Sequence, residues 1–206
     1  MIVLTLDAAL PGCSAGVVRD GGVVAERCLD GARGHAAALP AMAAAVLAEA
    51  GVEAVALSMV AVTIGPGSFT GLRAALSLAH GIGSATGVPV AGVTVGEALD
   101  GPADGRLHWA AVDTRRGRVF LDYGGEVRSI ALDELPLPDR PLTVGGDAGA
   151  AVVQRLADAG YDVRLGQARP GPAGIAAAAL RRAIAGLAQR PAQPLYVDPP
   201  EARPAA

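Results

Sequence analysis

Aromatic side chains are scarce in this chain, 3% of 206 residues, although 51% of its residues are hydrophobic. A core must therefore be assembled from Ala, Val, Leu and Ile, and little ring surface is left for stacking on bases. A basic excess is also missing. The 17 Lys and Arg residues are outnumbered by 20 Asp and Glu, giving a net charge of −3. That balance argues against an autonomous grip on nucleic acid, and Arg115-Arg116-Gly117-Arg118 and Arg181-Arg182 read as solvated surface. The three histidines, His35, His80 and His108, lie far apart with no i,i+4 pair, so no metal site is expected.

Long apolar runs are absent as well. The Ala-rich segment 36–50 is too short to span a bilayer, and no basic leader precedes Asp7. A cytoplasmic protein without a membrane span is expected. The two cysteines, Cys13 and Cys28, flank a β-hairpin. If Asp20-Gly21 form its turn, Arg19 faces Gly22 and Cys13 falls opposite Cys28. A cross-strand disulfide and a pair of reduced, buried thiols are both compatible with that register, and a reducing compartment favours the second.

Against these absences stands one dense stretch, Ile64-Gly65-Pro66-Gly67-Ser68-Phe69-Thr70-Gly71-Leu72-Arg73. A β-branched strand at about 58–64 enters it and a helix from Thr70 to about Ala85 leaves it, with Ser68 and Thr70 as N-cap candidates. The first half reads as a strand over residues 1–7, the hairpin 13–19 and 22–28, a helix from His35 to Ala50, the motif and its helix, a strand 88–93, and a capping box at Thr94-Val95-Gly96-Glu97. The second half opens in the same way. Trp109 to Asp113 is a strand ending in an acid, followed by a turn and Val119 to Tyr123. Then come a strand at 142–147, a helix near 148–158, a short strand 162–165 and a helix 175–187. Two related halves are implied, spanning 1–100 and 106–189. A tail, 190–206, carries five prolines and reads as extended and partly disordered.

The motif lacks the lysine of a Gly-x-x-x-x-Gly-Lys loop, and Ser68 has no local histidine to activate it. Backbone N–H groups at the helix start could still hold an anion, which makes Gly67, Ser68 and Thr70, with Asp7, the weak anion or nucleotide candidates. The competing reading is a tight corner capped by its own hydroxyls. Asp7 and Asp113 end corresponding strands. They could position a metal–nucleotide in a two-half phosphotransferase, or simply form turns. No other catalytic group is evident. The helices 35–50 and 70–85 have no polar face, so something must cover both sides of each.

The nine residues Gly65 to Arg73 resemble the signature of the TsaB (YeaZ) family, accessory subunits of bacterial tRNA threonylcarbamoyladenosine synthesis. The resemblance continues through Val88-Pro89-Val90-Ala91-Gly92-Val93, Glu97-Ala98-Leu99, Val112 to Phe120 and Gly145-Gly146-Asp147-Ala148. Departures are Ala8 where a hydroxyl residue is usual, and Asp198 where the family's C-terminal motif has Arg. The resemblance implies an α/β fold of the actin/sugar-kinase/Hsp70 (ASKHA) type, in two lobes with the second reduced. It implies a non-catalytic scaffold that pairs with a TsaD-like catalytic subunit and a TsaE-like ATPase, self-associates through similar surfaces, and meets tRNA only within the complex. No tightly bound cofactor is implied, with ATP at most at the complex interface. On this reading the two bare helices form the docking surface, through Leu39, Met42, Val46, Leu72, Leu76, Ala79 and His80. The rival is an enzyme acting alone, an ATP phosphotransferase using Asp7 and Asp113 or a glycoprotease.

Overall fold

The structure, a computed structural model, describes residues 1–31, 34–101, 104–123 and 125–197. Strands β1 (Ile2–Asp7), β2 (Cys13–Arg19), β3 (Gly22–Leu29), β4 (Met59–Gly65) and β5 (Val90–Thr94) form sheet one, in the order β3-β2-β1-β4-β5. Strands β6 (Leu107–Asp113), β7 (Val119–Tyr123), β8 (Glu126–Ile130), β9 (Leu142–Gly145) and β10 (Val163–Leu165) form sheet two, in the equivalent order β8-β7-β6-β9-β10. In each sheet three strands make an antiparallel meander, and two more run parallel to the first. The helices are α1 (His35–Glu49), α2 (Phe69–Thr86), α3 (Val95–Leu99), α4 (Gly149–Asp158) and α5 (Pro172–Ile184).

Sheet one is covered on both faces, which explains why its central strands read as unbroken apolar runs. Alternation along β1 sends Leu4 and Leu6 toward α1 and α2, where they join Val17, Val60, Val62, Leu39 and Val46. Val3 turns the other way and meets Val18, Ala61, Ala91 and Val93 under Ile175 and Ala179 of α5. Burying Ile175 completely stabilises this contact by about 1.5–3 kcal/mol. Thus α5, which chain order places with the second half, packs on the first sheet. Sheet two packs one face on α4 through Leu121, Val144, Val152 and Leu156.

One expectation needs correction here. The hairpin does pair Arg19 with Gly22, but the register shifts between Val17 and Val18. Val24 is the extra residue of this bulge, so Cys13 pairs with Leu29, and Cys28 with Ser14. Adjacent strand residues point to opposite faces, so the thiols diverge: Cys13 is buried, Cys28 is exposed, and both are free. The described part of the tail, residues 190–197, is ordered, and the remainder lies outside the described residues. Residues 190–195 lie as a strap along sheet one, where the Gly92 N–H donates to the Arg190 carbonyl at 2.8 Å and the Leu195 N–H to the Ile64 carbonyl at 2.8 Å. His80 Nε2 donates to the Ala192 carbonyl at 2.8 Å, and Ala192 is buried in the core beneath α2. Asp198 lies outside the described residues.

Candidate functional site

The β4–α2 corner is built by contact with the loop after β1. A Cβ on Gly67 would stand 2.1 Å from the Ala9 carbonyl oxygen, and one on Gly71 would stand 2.1 Å from that of Ala8. Only glycine admits so close a backbone approach. The Ser68 N–H donates to the Ala9 carbonyl at 2.7 Å, and the Ser68 hydroxyl caps α2 by accepting from the Gly71 N–H at 3.2 Å. The N–H groups of Ser68 and Gly71 are therefore committed to the corner. Thr70 lies inside the helix and is exposed rather than capping. Sheet two repeats the device: a Cβ on Gly146, whose φ is +95°, would stand 2.1 Å from the Ala111 carbonyl, which accepts from the Ala148 N–H at 3.1 Å.

The two strand-end acids are not alike. Asp7 is buried and accepts from the Thr63 hydroxyl at 2.6 Å and the Ala9 N–H at 3.1 Å, which shapes the loop that the corner grips. Asp113 is half-exposed and pairs with Arg115 at 3.0 Å. Its N–H donates to Asp147 Oδ1 at 3.0 Å, and Arg115 reaches Asp147 at 3.2 Å. Burial pushes the Asp147 carboxyl above its usual range despite these bonds. Ala9, Leu10, Leu72, Val95 and Val112 form a buried apolar cluster that joins the loop after β1 to the end of β6, with Phe120 packed against it. The strand ends thus meet through hydrocarbon, with each acid serving its own turn.

The proposed docking residues are largely turned inward. Leu39, Val46, Leu72, Leu76 and Ala79 are at most 5% exposed and belong to the protein's own core. Met42 is half-buried against Cys13, and His80 holds the strap. In a helix without a polar stripe, the largest apolar groups take the core positions. What faces outward on α1 is Ala37, Pro40, Ala41, Ala44, Ala45, Ala48 and Glu49, and on α2 Phe69, Thr70, Arg73, Ser77, His80, Gly81, Ser84 and Ala85. The two helices pack side by side, so the small residues among these share one surface. A Cβ on Gly81 would meet nothing within 4 Å. No internal packing requires this glycine in mid-helix, where it costs about 1 kcal/mol relative to alanine.

Other groups were not expected from the sequence to be site residues. Arg73 stacks on Phe69 at 3.8 Å from the ring centroid, and the Tyr196 ring lies 6.4 Å from that of Phe69. Glu97 ties α3 to the strap through Arg190 at 2.9 Å. Burial pushes its carboxyl up, but the bonds from Arg190 and Thr94 outweigh this and hold it below its usual range. Burial raises both thiols, that of Cys28 to about 11, so neither is an activated nucleophile. Among the described residues, no group of three or more His, Cys, Asp or Glu side chains could hold a metal, and no helix is long and apolar enough to cross a membrane.

Two lobes with the same strand order, each beginning with a β-meander and an acid-ended strand, define an ASKHA-type α/β protein. Sequence comparison narrows the class. A family model described as TsaD, tRNA N6-adenosine threonylcarbamoyltransferase, matches residues 15–165. An uncharacterised protein of Mycobacterium tuberculosis is 36% identical over 215 residues, covering 99% of this chain and 95% of that one. The tRNA threonylcarbamoyladenosine biosynthesis protein TsaB of Escherichia coli is 30% identical over 126 residues, 58% of this chain and 53% of TsaB. YeaZ from Pseudomonas aeruginosa has the same fold, with a TM-score of 0.76 at 24% identity over 95% of this chain and 100% of that one. The chain belongs to the family of that model, the tRNA N6-adenosine threonylcarbamoyltransferase (TsaD) family, and is similar to TsaB (YeaZ) within it.

Proposed function

We propose that this chain is the non-catalytic scaffold of a cytoplasmic threonylcarbamoyladenosine-forming assembly. It docks a TsaD-like catalytic subunit through the outward faces of α1 and α2. A TsaE-like ATPase joins the pair, tRNA is met only within the complex, and any nucleotide sits at the junction rather than in this chain. The observation that supports this reading is the shared outer surface of α1 and α2, where Ala, Ser, Gly and Pro surround the open Gly81, with Glu49, Phe69 and Arg73 exposed on the same helices. Small residues let a partner's backbone approach closely. The apolar closure between Leu10, Val112 and Phe120 fits a scaffold better than a phosphotransferase built on Asp7 and Asp113.

The test places a charge on that face without touching the core. Ala45→Arg and Gly81→Arg should each fold as the parent does by circular dichroism. A charge left unpaired in an interface costs on the order of 3 kcal/mol, which lowers affinity about a hundredfold. Co-elution with the TsaD-like subunit and tRNA modification by the reconstituted assembly should both be lost. A complex that forms equally well with either variant would overturn the proposal. If the variants abolish self-association but leave that complex intact, the face serves a second copy of this chain instead.

A further inference from the structure

A cavity of about 530 Å³ opens between α3, sheet two and the strap. Gly96 and Glu97 contribute one wall, Trp109 and Asp122 the second, Leu195 and Tyr196 the third. The volume suits a ligand of amino-acid to nucleoside size. No residue of α1 or α2 lines it, so it is distinct from the docking face and its test fails independently of that proposal.

Asp122 aside, the carboxylates around the cavity each have a cationic partner. Glu97 has Arg190 at 2.9 Å and Arg182 at 3.8 Å, Asp100 has Arg181 at 3.6 Å, and Glu126 has Arg128 at 2.7 Å, while the Nε of Arg190 is buried without a hydrogen-bond partner among the described residues. Asp122 has no hydrogen bond or ion pair among the described residues, since the Arg190 guanidinium near it is held by Glu97. Its carboxyl is pressed against α3, where a Cβ on Gly96 would stand 1.9 Å from Oδ2. Burial first, and the Glu97 charge second, push its pKa up to about 6. Folding gains nothing from such a group, because a half-buried carboxylate beside a like charge is destabilising. A bound cation would offset both costs, and the exposed Tyr196 ring, which lines the same cavity, supplies an aromatic group that attracts one.

We propose that this cavity binds an organic cation, an alkylammonium or guanidinium group, with the Asp122 carboxylate as its counter-ion and Tyr196 covering its apolar stem. The cation would come either from a small free amine or from a basic side chain of a protein.

Calorimetry of the full chain with two probes separates these sources: agmatine for the free amine, and acetyl-Gly-Arg-Gly-amide for the side chain. Saturable binding of either supports the site, and the tighter probe identifies the source. Asp122→Asn keeps the shape and removes the charge. It should weaken binding at least about tenfold while melting no lower than the parent. Tyr196→Ala alters a residue that is 58% exposed, so it should leave the fold intact and weaken binding about threefold or more. Only about a tenth of a carboxyl titrating near 6 is ionised at pH 5. Affinity should therefore fall about tenfold from pH 7.5 to 5 in the parent, with no such fall in Asp122→Asn. Equal binding by Asp122→Asn, or no binding of either probe up to about 10 mM, would overturn the proposal.

Discussion

A carboxyl group without a partner leaves a signature in the pH dependence of stability. Asp122 has a folded-state pKa of about 6, above the ~3.9 of an unfolded aspartate. The native state therefore holds a proton that the unfolded state releases, and stability falls as pH rises between these values. Below about pH 3 both states are protonated and the penalty vanishes. Asp122→Asn should accordingly raise the melting temperature at pH 8 and leave it unchanged at about pH 3. A gain of equal size at both pH values would show that the carboxyl is not strained by its surroundings. Nothing in the sequence distinguished Asp122 from other strand aspartates. Its isolation arises from α3, residues apart by a whole lobe boundary, and from an arginine that Glu97 has already engaged.

At the scale of single elements, two of the three glycines of α2 have opposite meanings. Gly71 faces the Ala8 carbonyl, and Gly81 faces open space. Gly71→Ala should cost on the order of 2–4 kcal/mol, because backbone must shift to admit the methyl group. Gly81→Ala should stabilise the lone chain by about 0.5–1 kcal/mol through helix propensity. Chemical denaturation of the two variants measures both, and the same sign for both would contradict the geometry. Most elements were legible in the sequence because Gly and Pro punctuate them and the caps at Ser68 and Thr94 are local. β8 was not singled out, although Glu126-Val127-Arg128-Ser129-Ile130 alternates polar and apolar residues after a glycine turn. The hairpin register was misread because a bulge leaves no mark in a run of valines. The docking residues expected from the sequence largely fall on the core side for a different reason. In α1 and α2 hydrophobicity has no phase, and choosing the large side chains selects the core side of each helix. The informative residues were the small ones.

The whole molecule is less divided than its two sheets suggest. Leu10 and Val112 join the lobes through buried hydrocarbon, Glu97 and Arg190 tie α3 to the strap, and α5 leaves the second half to cover Val3, Ala61 and Val93 of the first. Chain order alone divides the molecule at about residue 100, because the duplicated hairpins are visible in sequence and the return of α5 is not. The crossing carries a consequence for biosynthesis. A chain made from its N-terminus exposes one face of sheet one until residues 172–184 have left the ribosome, by which time both sheets have been translated. The first lobe cannot complete its fold as it emerges, unlike a domain that closes on itself. Ribosome-tethered chains stalled before residue 172 should be cut readily by protease within residues 1–100, and chains extended to expose α5 should resist. Synthesis of this protein thus leaves an apolar sheet in need of shelter, and a nascent-chain chaperone is the natural cover for it.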